Sequence, residues 1–222
     1  MDLLAADRHL SRCDPVMKRL VKLHGPCGLT ADPMTPFAAL VRAITHQQLH
    51  GKAAETILGR LCARFPRKRM PTPAELLAVT VADLRTAGFS GAKAAALHDL
   101  AAKAQEGVVP TIRALTSLSD DEIVERLTIV RGVGRWTVEM MLMFRLGRPD
   151  VWPTDDFGVR NGYGIAYGLP EMPTAKALLQ LGEPFKPWRS AAAWYLWRVA
   201  DAAKAAGKKP AGIRPVIGNG KD

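Results

Sequence analysis

Cysteine is scarce in this chain. Only Cys13, Cys27 and Cys62 are present, far apart and without CxxC spacing. A scattered, odd-numbered set makes neither a disulfide framework nor a thiolate zinc site, and it predicts reduced thiols. Long apolar runs are also missing, so no stretch approaches the roughly 20 residues of a membrane-spanning helix. Met1 is not followed by a basic segment and an apolar core, so no secretory leader is expected. These features predict a cytoplasmic protein with no membrane partner, associated with the nucleoid in a bacterium and nuclear in a eukaryote. Strand-type alternation of apolar and polar residues is rare, which argues against the exposed aromatic sheet of common RNA-binding modules. Repeats and low-complexity blocks are absent.

Hydrophobic residues, by contrast, make up 48% of the 222 positions and charged ones 23%, enough for a packed core and too few charges for a disordered chain. That length suits one compact domain, or two small lobes, rather than two independent domains. The formal net charge of +10 favours a polyanionic partner, although a solvated basic surface would give the same number.

Helix punctuation recurs along the chain. Asp14-Pro15 reads as an N-cap with proline at the first helical position, and Gly25 ends that helix. Thr35-Pro36 repeats the device before FAALVRAITHQQL, and Gly51 opens KAAETILGRLCARF. Thr72-Pro73 precedes AELLAV, Ser90 precedes GAKAAALHDLAAKAQ, and Ser119 to Glu122 form a capping box before IVERLTIV. An apolar helix, RWTVEMMLMFRLG, follows RGVG; Thr154 or Asp155 caps the next one, and Pro187 opens a last helix. The fold is expected to be all-α, with about ten helices, and residues 207–222 to form a loose basic tail.

The segment from Thr128 to Thr137, TIVRGVGRWT, carries the most chemistry. Gly132 and Gly134 allow a tight turn and a close backbone approach, and the helix after them starts with unpaired N–H groups. Such a helix start can bind a phosphate. An ordinary helix hairpin would also use G-V-G, but the basic, helical context favours the phosphate. Twenty residues beyond Trp136, Asp155 and Asp156 lie together at a helix start. Capping and dipole complementation account for Asp155. Trp136, Met140 and Met143 share one helix face, and Trp194 and Trp197 another; core packing explains most such residues. Gln47, Gln48, Leu49 and His50 end an apolar helix before Gly51, where polar residues can simply close a helix.

LTIVRGVGRWT followed by PTDDFGVR, with THQQLHGKAAETILGRL upstream and KPWRSAAAWYLW downstream, resembles the helix-hairpin-helix (HhH-GPD) DNA glycosylase superfamily. Within it the chain is similar to the 3-methyladenine DNA glycosylase II family, with AlkA-type and MAG-type members, over about residues 10–205. The resemblance implies a two-lobed helical fold spanning 1–206 with a DNA-binding cleft between the lobes. One lobe would combine the N-terminal segment with the C-terminal helices; the other would hold the central helices and the hairpin at about 127–137.

The resemblance also implies a site. Asp156 would be catalytic, stabilising positive charge on the sugar or orienting water, and Trp136, Met140, Phe157 and Trp197 would line a base pocket. Met140 replaces an aromatic of some relatives, which implies a more open or reshaped pocket. Gln48 would be the wedge filling the gap left by a flipped nucleotide, and His50 a minor-groove contact. Gly132, Gly134 and Thr137 would donate backbone N–H groups to phosphate, and Lys52, Lys93 and Arg135 would be phosphate contacts. The carbonyls of Thr128, Val130 and Val133 would hold a Na⁺ or K⁺ ion. Bifunctional relatives carry a lysine nucleophile where this chain has Trp136, so a monofunctional hydrolase is expected. No cofactor is required, and without a C-terminal cysteine cluster no iron–sulfur centre is expected. The implied partner is double-stranded DNA bearing alkylated purines, bound by a monomer. Two other readings stay open: a non-catalytic DNA-binding protein, and a glycosylase for neutral lesions such as uracil or hypoxanthine.

Overall fold

The computed structural model of the protein describes residues 1–32 and 34–207. The expected tail lies, apart from Gly207, outside the described residues. In chain order the helices are α1 (Leu3–Cys13), α2 (Pro15–His24), α3 (Pro36–His46), α4 (Gly51–Cys62), α5 (Pro73–Ala78), α6 (Val81–Ala87) and α7 (Gly91–Gln105). They continue with α8 (Ile112–Thr116), α9 (Asp120–Leu127), α10 (Arg135–Phe144), α11 (Phe157–Ala166), α12 (Ala175–Leu181) and α13 (Arg189–Ala205). Short 3-10 turns lie at Pro66–Lys68 and Glu183–Phe185. The fold is all-α.

Thirteen α-helices stand among the described residues where about ten were expected. The additions include α1, capped by Asp2 accepting from Ala5 N at 3.0 Å, and the short α6, α8 and α12, each opened by a threonine cap. The expected helices also run shorter than their apolar patterns: α3 stops at His46 and α4 at Cys62. The Gln47–His50 segment is therefore a loop, with Gln48 at φ 56.

The chain divides into two compact units. Among the described residues, the first comprises 1–30 and 147–207. Its densest packing is α11 against α13. Gly162 permits this closeness, since a Cβ there would lie 2.1 Å from the Leu196 carbonyl oxygen. Tyr195, fully buried on α13, places its hydroxyl 2.8 Å from Asp7 Oδ1 and 2.9 Å from the Gly25 carbonyl, while Asp7 Oδ2 accepts from Cys27 N. Burial pushes the Tyr195 hydroxyl well above the usual phenol range, so it acts as a donor at any accessible pH.

The loop from 147 to 156 is held to the first turn of α13. Arg189 forks onto the Asp150 carboxylate at 2.7 and 2.9 Å, and Ser190 Oγ accepts from Val151 N at 2.9 Å. The buried Trp152 donates its indole N–H to the Leu178 carbonyl at 2.8 Å. A bidentate arginine and a satisfied buried indole give this loop a defined path toward α11.

The second unit, residues 31–146, is built around α7, which packs on α3, α5 and α6. Leu97, Leu100 and Ala101 of α7 are fully buried, as are Leu40, Val41 and Ile44 of α3. α9 and α10 form a helical hairpin in this unit.

The α11–α13 crossing makes a direct prediction. Gly162→Ala should lower unfolding free energy in urea by about 1–3 kcal/mol, the usual cost of overpacking. An unchanged midpoint and slope would show that the crossing opens without penalty.

Candidate active site

The loop ahead of α11 ends in a turn, with Asp156 N donating to the Pro153 carbonyl at 3.1 Å. This turn puts Thr154 and Asp155 before the helix start. Neither is the cap that the sequence pattern assigns to them: Asp156 is the N-cap of α11, and its Oδ1 accepts from Val159 N at 2.8 Å. Asp155 is exposed, whereas Asp156 is half-buried. The same Oδ1 accepts from Trp197 Nε1 on α13 at 2.8 Å. One carboxylate oxygen thus receives a backbone and an indole donor and faces the positive end of a helix dipole. Phe157, next in the chain, is half exposed, and Trp197 is partly buried.

In the second unit, the hairpin joins α9 to α10 through residues 128–134. Gly132 takes φ 77, a region that favours glycine. Three contacts hold this turn. Asp99 on α7 accepts from Arg131 N at 2.7 Å, and the Gln47 side-chain amide donates to the Gly132 carbonyl at 2.8 Å. Val133 N donates to the Val130 carbonyl at 3.0 Å. Hydrogen bonds and the Lys103 ammonium beside it hold the Asp99 carboxyl below its ordinary range, against the opposing effect of burial. Thr128, the C-cap of α9, is exposed, while Val130 and Val133 are buried.

Most helices here start with a side-chain cap; α13, whose first-turn Arg189 is held by Asp150, starts without one, and so do α4 and α10. Their N-caps are His50 and Gly134, and the first turn of each holds a basic residue, Lys52 or Arg135, with no acidic one. A cation at the positive end of a helix is unfavourable for the helix alone and favourable once an anion sits between them. Arg135 stays exposed at 3.6 Å from both Asp121 and Glu139. Thr137, two residues on, is buried.

Lys93 differs from its sequence expectation. Its ammonium donates to the carbonyls of Thr45 and Gln47, at 2.8 and 2.6 Å, and so closes the C-terminal end of α3. Burial pushes its pKa below the ordinary lysine range. It is engaged with backbone rather than standing as a solvated phosphate clamp.

A cavity of about 560 Å³ opens in the second unit. Trp136 and Met140 line it together with Leu40, Ala43, Met141 and Phe144. Met143, expected on the same face, is fully buried and faces the core. Sequence reasoning missed the polar lining: Arg42, His46, Gln47 and Arg145 join Gln48 there. Arg42 pairs with Glu55, as does His46 at 3.0 Å, and Arg145 pairs with Asp32. The signal available was the spacing of Arg42 and His46, one turn apart on α3. Gln48 and His50 are exposed, Gln48 with its positive φ 56 at the loop tip.

Residues 41–187 match the family described as HhH-GPD superfamily base excision DNA repair protein. The chain belongs to the HhH-GPD superfamily. Among its relatives, DNA-3-methyladenine glycosylase 1 of Schizosaccharomyces pombe is 41% identical over 203 residues, 90% of this chain and 89% of that protein. The alkylbase DNA glycosidase-like protein mag2 of the same yeast is 36% identical, over 89% of this chain and 94% of its own length. A solved structure of S. pombe 3-methyladenine DNA glycosylase in complex with abasic DNA matches with a TM-score of 0.81 and 40% identity, covering 92% of this chain and 99% of that one. The family match takes in both the α9–α10 turn and Asp156.

The capping role of Asp156 is open to a direct test. Asp156→Ala removes the cap of α11 and should cost about 0.5–2 kcal/mol of stability, while Asp156→Asn keeps a capping oxygen and should cost far less. Thermal unfolding of both variants checks this; equal losses would contradict the cap.

Proposed function

We propose that this chain is a monofunctional DNA glycosylase of base excision repair. It hydrolyses the N-glycosidic bond of flipped alkylated purines, with 3-methyladenine, 7-methylguanine and ethenoadenine as the substrate class. The observation that carries this reading is Asp156 itself: a carboxylate fixed by two donors at a helix start, in a chain 41% identical to a named 3-methyladenine glycosylase.

The mechanism follows from residue chemistry. The uncapped start of α10, with Gly132, Gly134 and Thr137 supplying N–H groups and Arg135 beside them, grips a phosphate, and Lys52 at α4 a second one. Gln48, at the tip of its loop, enters the space left by the flipped nucleotide, and His50 contacts the minor groove. Flipping costs a few kcal/mol, which wedge insertion partly offsets. Phe157, half exposed beside Asp156, offers an aromatic face in the first unit, and Trp136 and Met140 line the cavity of the second; aromatic faces attract an electron-deficient, alkylated purine. When the C1′–N bond breaks, the bonding pair leaves with the base and positive charge grows on the sugar. The Asp156 carboxylate stabilises that charge. Water adds at C1′ and loses its proton to solvent or to Asp156. Trp136 cannot form a Schiff base, so the product is an abasic site without strand cleavage.

The carbonyls of Thr128, Val130 and Val133 form a neutral, all-oxygen donor set, which fits Na⁺ or K⁺. Such an ion would add positive charge at the phosphate grip. The protein acts on double-stranded DNA as a monomer, and no iron–sulfur centre takes part.

Single-turnover release of methylpurines from alkylated duplex DNA tests this reading. Wild type should release base, and Asp156→Asn should lose at least about 100-fold in rate while DNA affinity persists. Binding without release by wild type would contradict it, and a panel of uracil and hypoxanthine duplexes would then identify a neutral substrate.

A further inference from the structure

Trp197 was expected as a wall of the base pocket, yet its indole N–H points at the carboxylate that carries the chemistry. Trp197 Nε1 and Val159 N both lie 2.8 Å from the same oxygen, Asp156 Oδ1. The two donors come from different helices. Val159 is in the first turn of α11, which Asp156 itself caps, and Trp197 is midway along α13. A capping bond alone leaves a carboxylate free to twist about its last side-chain bond. A second donor fixed on another helix removes that freedom.

The approach of the indole has a sequence requirement. A Cβ added to Gly158 would lie 2.7 Å from Trp197 Cδ1, 3.1 Å from Nε1 and 3.1 Å from Asp156 Oδ1. Contacts below 3.0 Å do not persist, so any side chain at 158 displaces the ring that bonds Asp156. The backbone of Gly158 has no positive φ to demand glycine. Its lack of a side chain serves the Trp197–Asp156 contact. The nearby α11–α13 packing at Gly162 holds the two helices at the distance this contact needs.

We propose that Trp197 and Gly158 are positioning residues for Asp156. Trp197 locks the carboxylate plane through its indole N–H, and Gly158 keeps the space through which it does so. This rests on the reading of Asp156 as the catalytic carboxylate. Charge stabilisation in a transition state depends on a group that does not reorient as charge develops. Trp197 is therefore a determinant of the chemical step more than of base affinity.

The test uses Trp197→Phe, Gly158→Ala and the double variant, with Asp156→Asn as control. The readouts are single-turnover base release at saturating methylated duplex, and affinity for duplex DNA. Trp197→Phe keeps an aromatic ring, smaller than the indole, and removes the donor. It should slow release by roughly 10- to 100-fold, a range typical of losing an outer hydrogen bond to a working ligand, with DNA affinity within about twofold. Gly158→Ala should slow release comparably with the tryptophan intact. The double variant should be no slower than the worse single one, because both remove the same contact. In ¹H–¹⁵N spectra the Trp197 indole N–H resonance should shift in Asp156→Asn and in Gly158→Ala. If Trp197→Phe proves unstable, Gly158→Ala and the indole resonance decide alone.

Full release rate with weakened binding in Trp197→Phe would make Trp197 a pocket wall and overturn the proposal. So would strictly multiplicative losses in the double variant, or an indole resonance unmoved by Asp156→Asn. A wild-type rate in Asp156→Asn would instead overturn the catalytic assignment of Asp156, independently of what Trp197 does.

Discussion

With Asp156 as the proposed catalytic carboxylate, the hydrogen bonds on its Oδ1 join folding to chemistry. The carboxylate completes the first turn of α11 by accepting from Val159, and α11 packs along α13 only because Gly162 lets the backbones meet. That packing brings the Trp197 indole to the same oxygen. Upstream, the Arg189–Asp150 fork, the Ser190 contacts and the Trp152 indole bond leave the 147–156 loop little freedom about where it delivers Asp156. A carboxylate that must stabilise charge without reorganising is best built into a helix terminus, where loss of its position also costs stability.

The hairpin unit follows a parallel logic with a different outcome. There the side chains around the α9–α10 turn serve to hold it. Asp99 takes the Arg131 N–H, Gln47 reaches the Gly132 carbonyl, and Lys93 closes the end of α3 beneath Gln47. The loop carrying Gln48 and the α9–α10 turn are therefore linked by one amide side chain, within one unit. Leaving α4 and α10 without side-chain caps forgoes local stability, and basic residues in their first turns forgo more. On the proposed function, a DNA phosphate at each helix start offsets both.

Elements announced by a cap and a long apolar period were legible from sequence: Asp14-Pro15, Thr35-Pro36, Thr72-Pro73, Ser90 and the Ser119–Glu122 box all start helices. The short helices α6, α8 and α12 were not, because one or two turns give too few positions for a periodic signal. The α11 cap was misread by a residue, since whether Thr154, Asp155 or Asp156 caps depends on the Pro153 turn, and composition does not encode that turn. Lys93 shows a further limit. A lysine in a helix start reads as a phosphate contact until the tertiary fold places two carbonyls against it. The cavity polar residues Arg42 and His46 were hidden for the same reason, as was the partnership of Trp197 with Asp156.

The central claim is electrostatic: Asp156 stabilises positive charge on the sugar. The most direct measurement compares affinity for two duplexes, one with a cationic pyrrolidine ring in place of the target sugar, the other with a neutral tetrahydrofuran ring. Wild type should bind the cationic duplex at least about tenfold more tightly, roughly 1.4 kcal/mol, and Asp156→Asn should lose that preference while retaining affinity for the neutral one. Equal affinity of wild type for both duplexes, or a preference that survives in Asp156→Asn, would contradict the account.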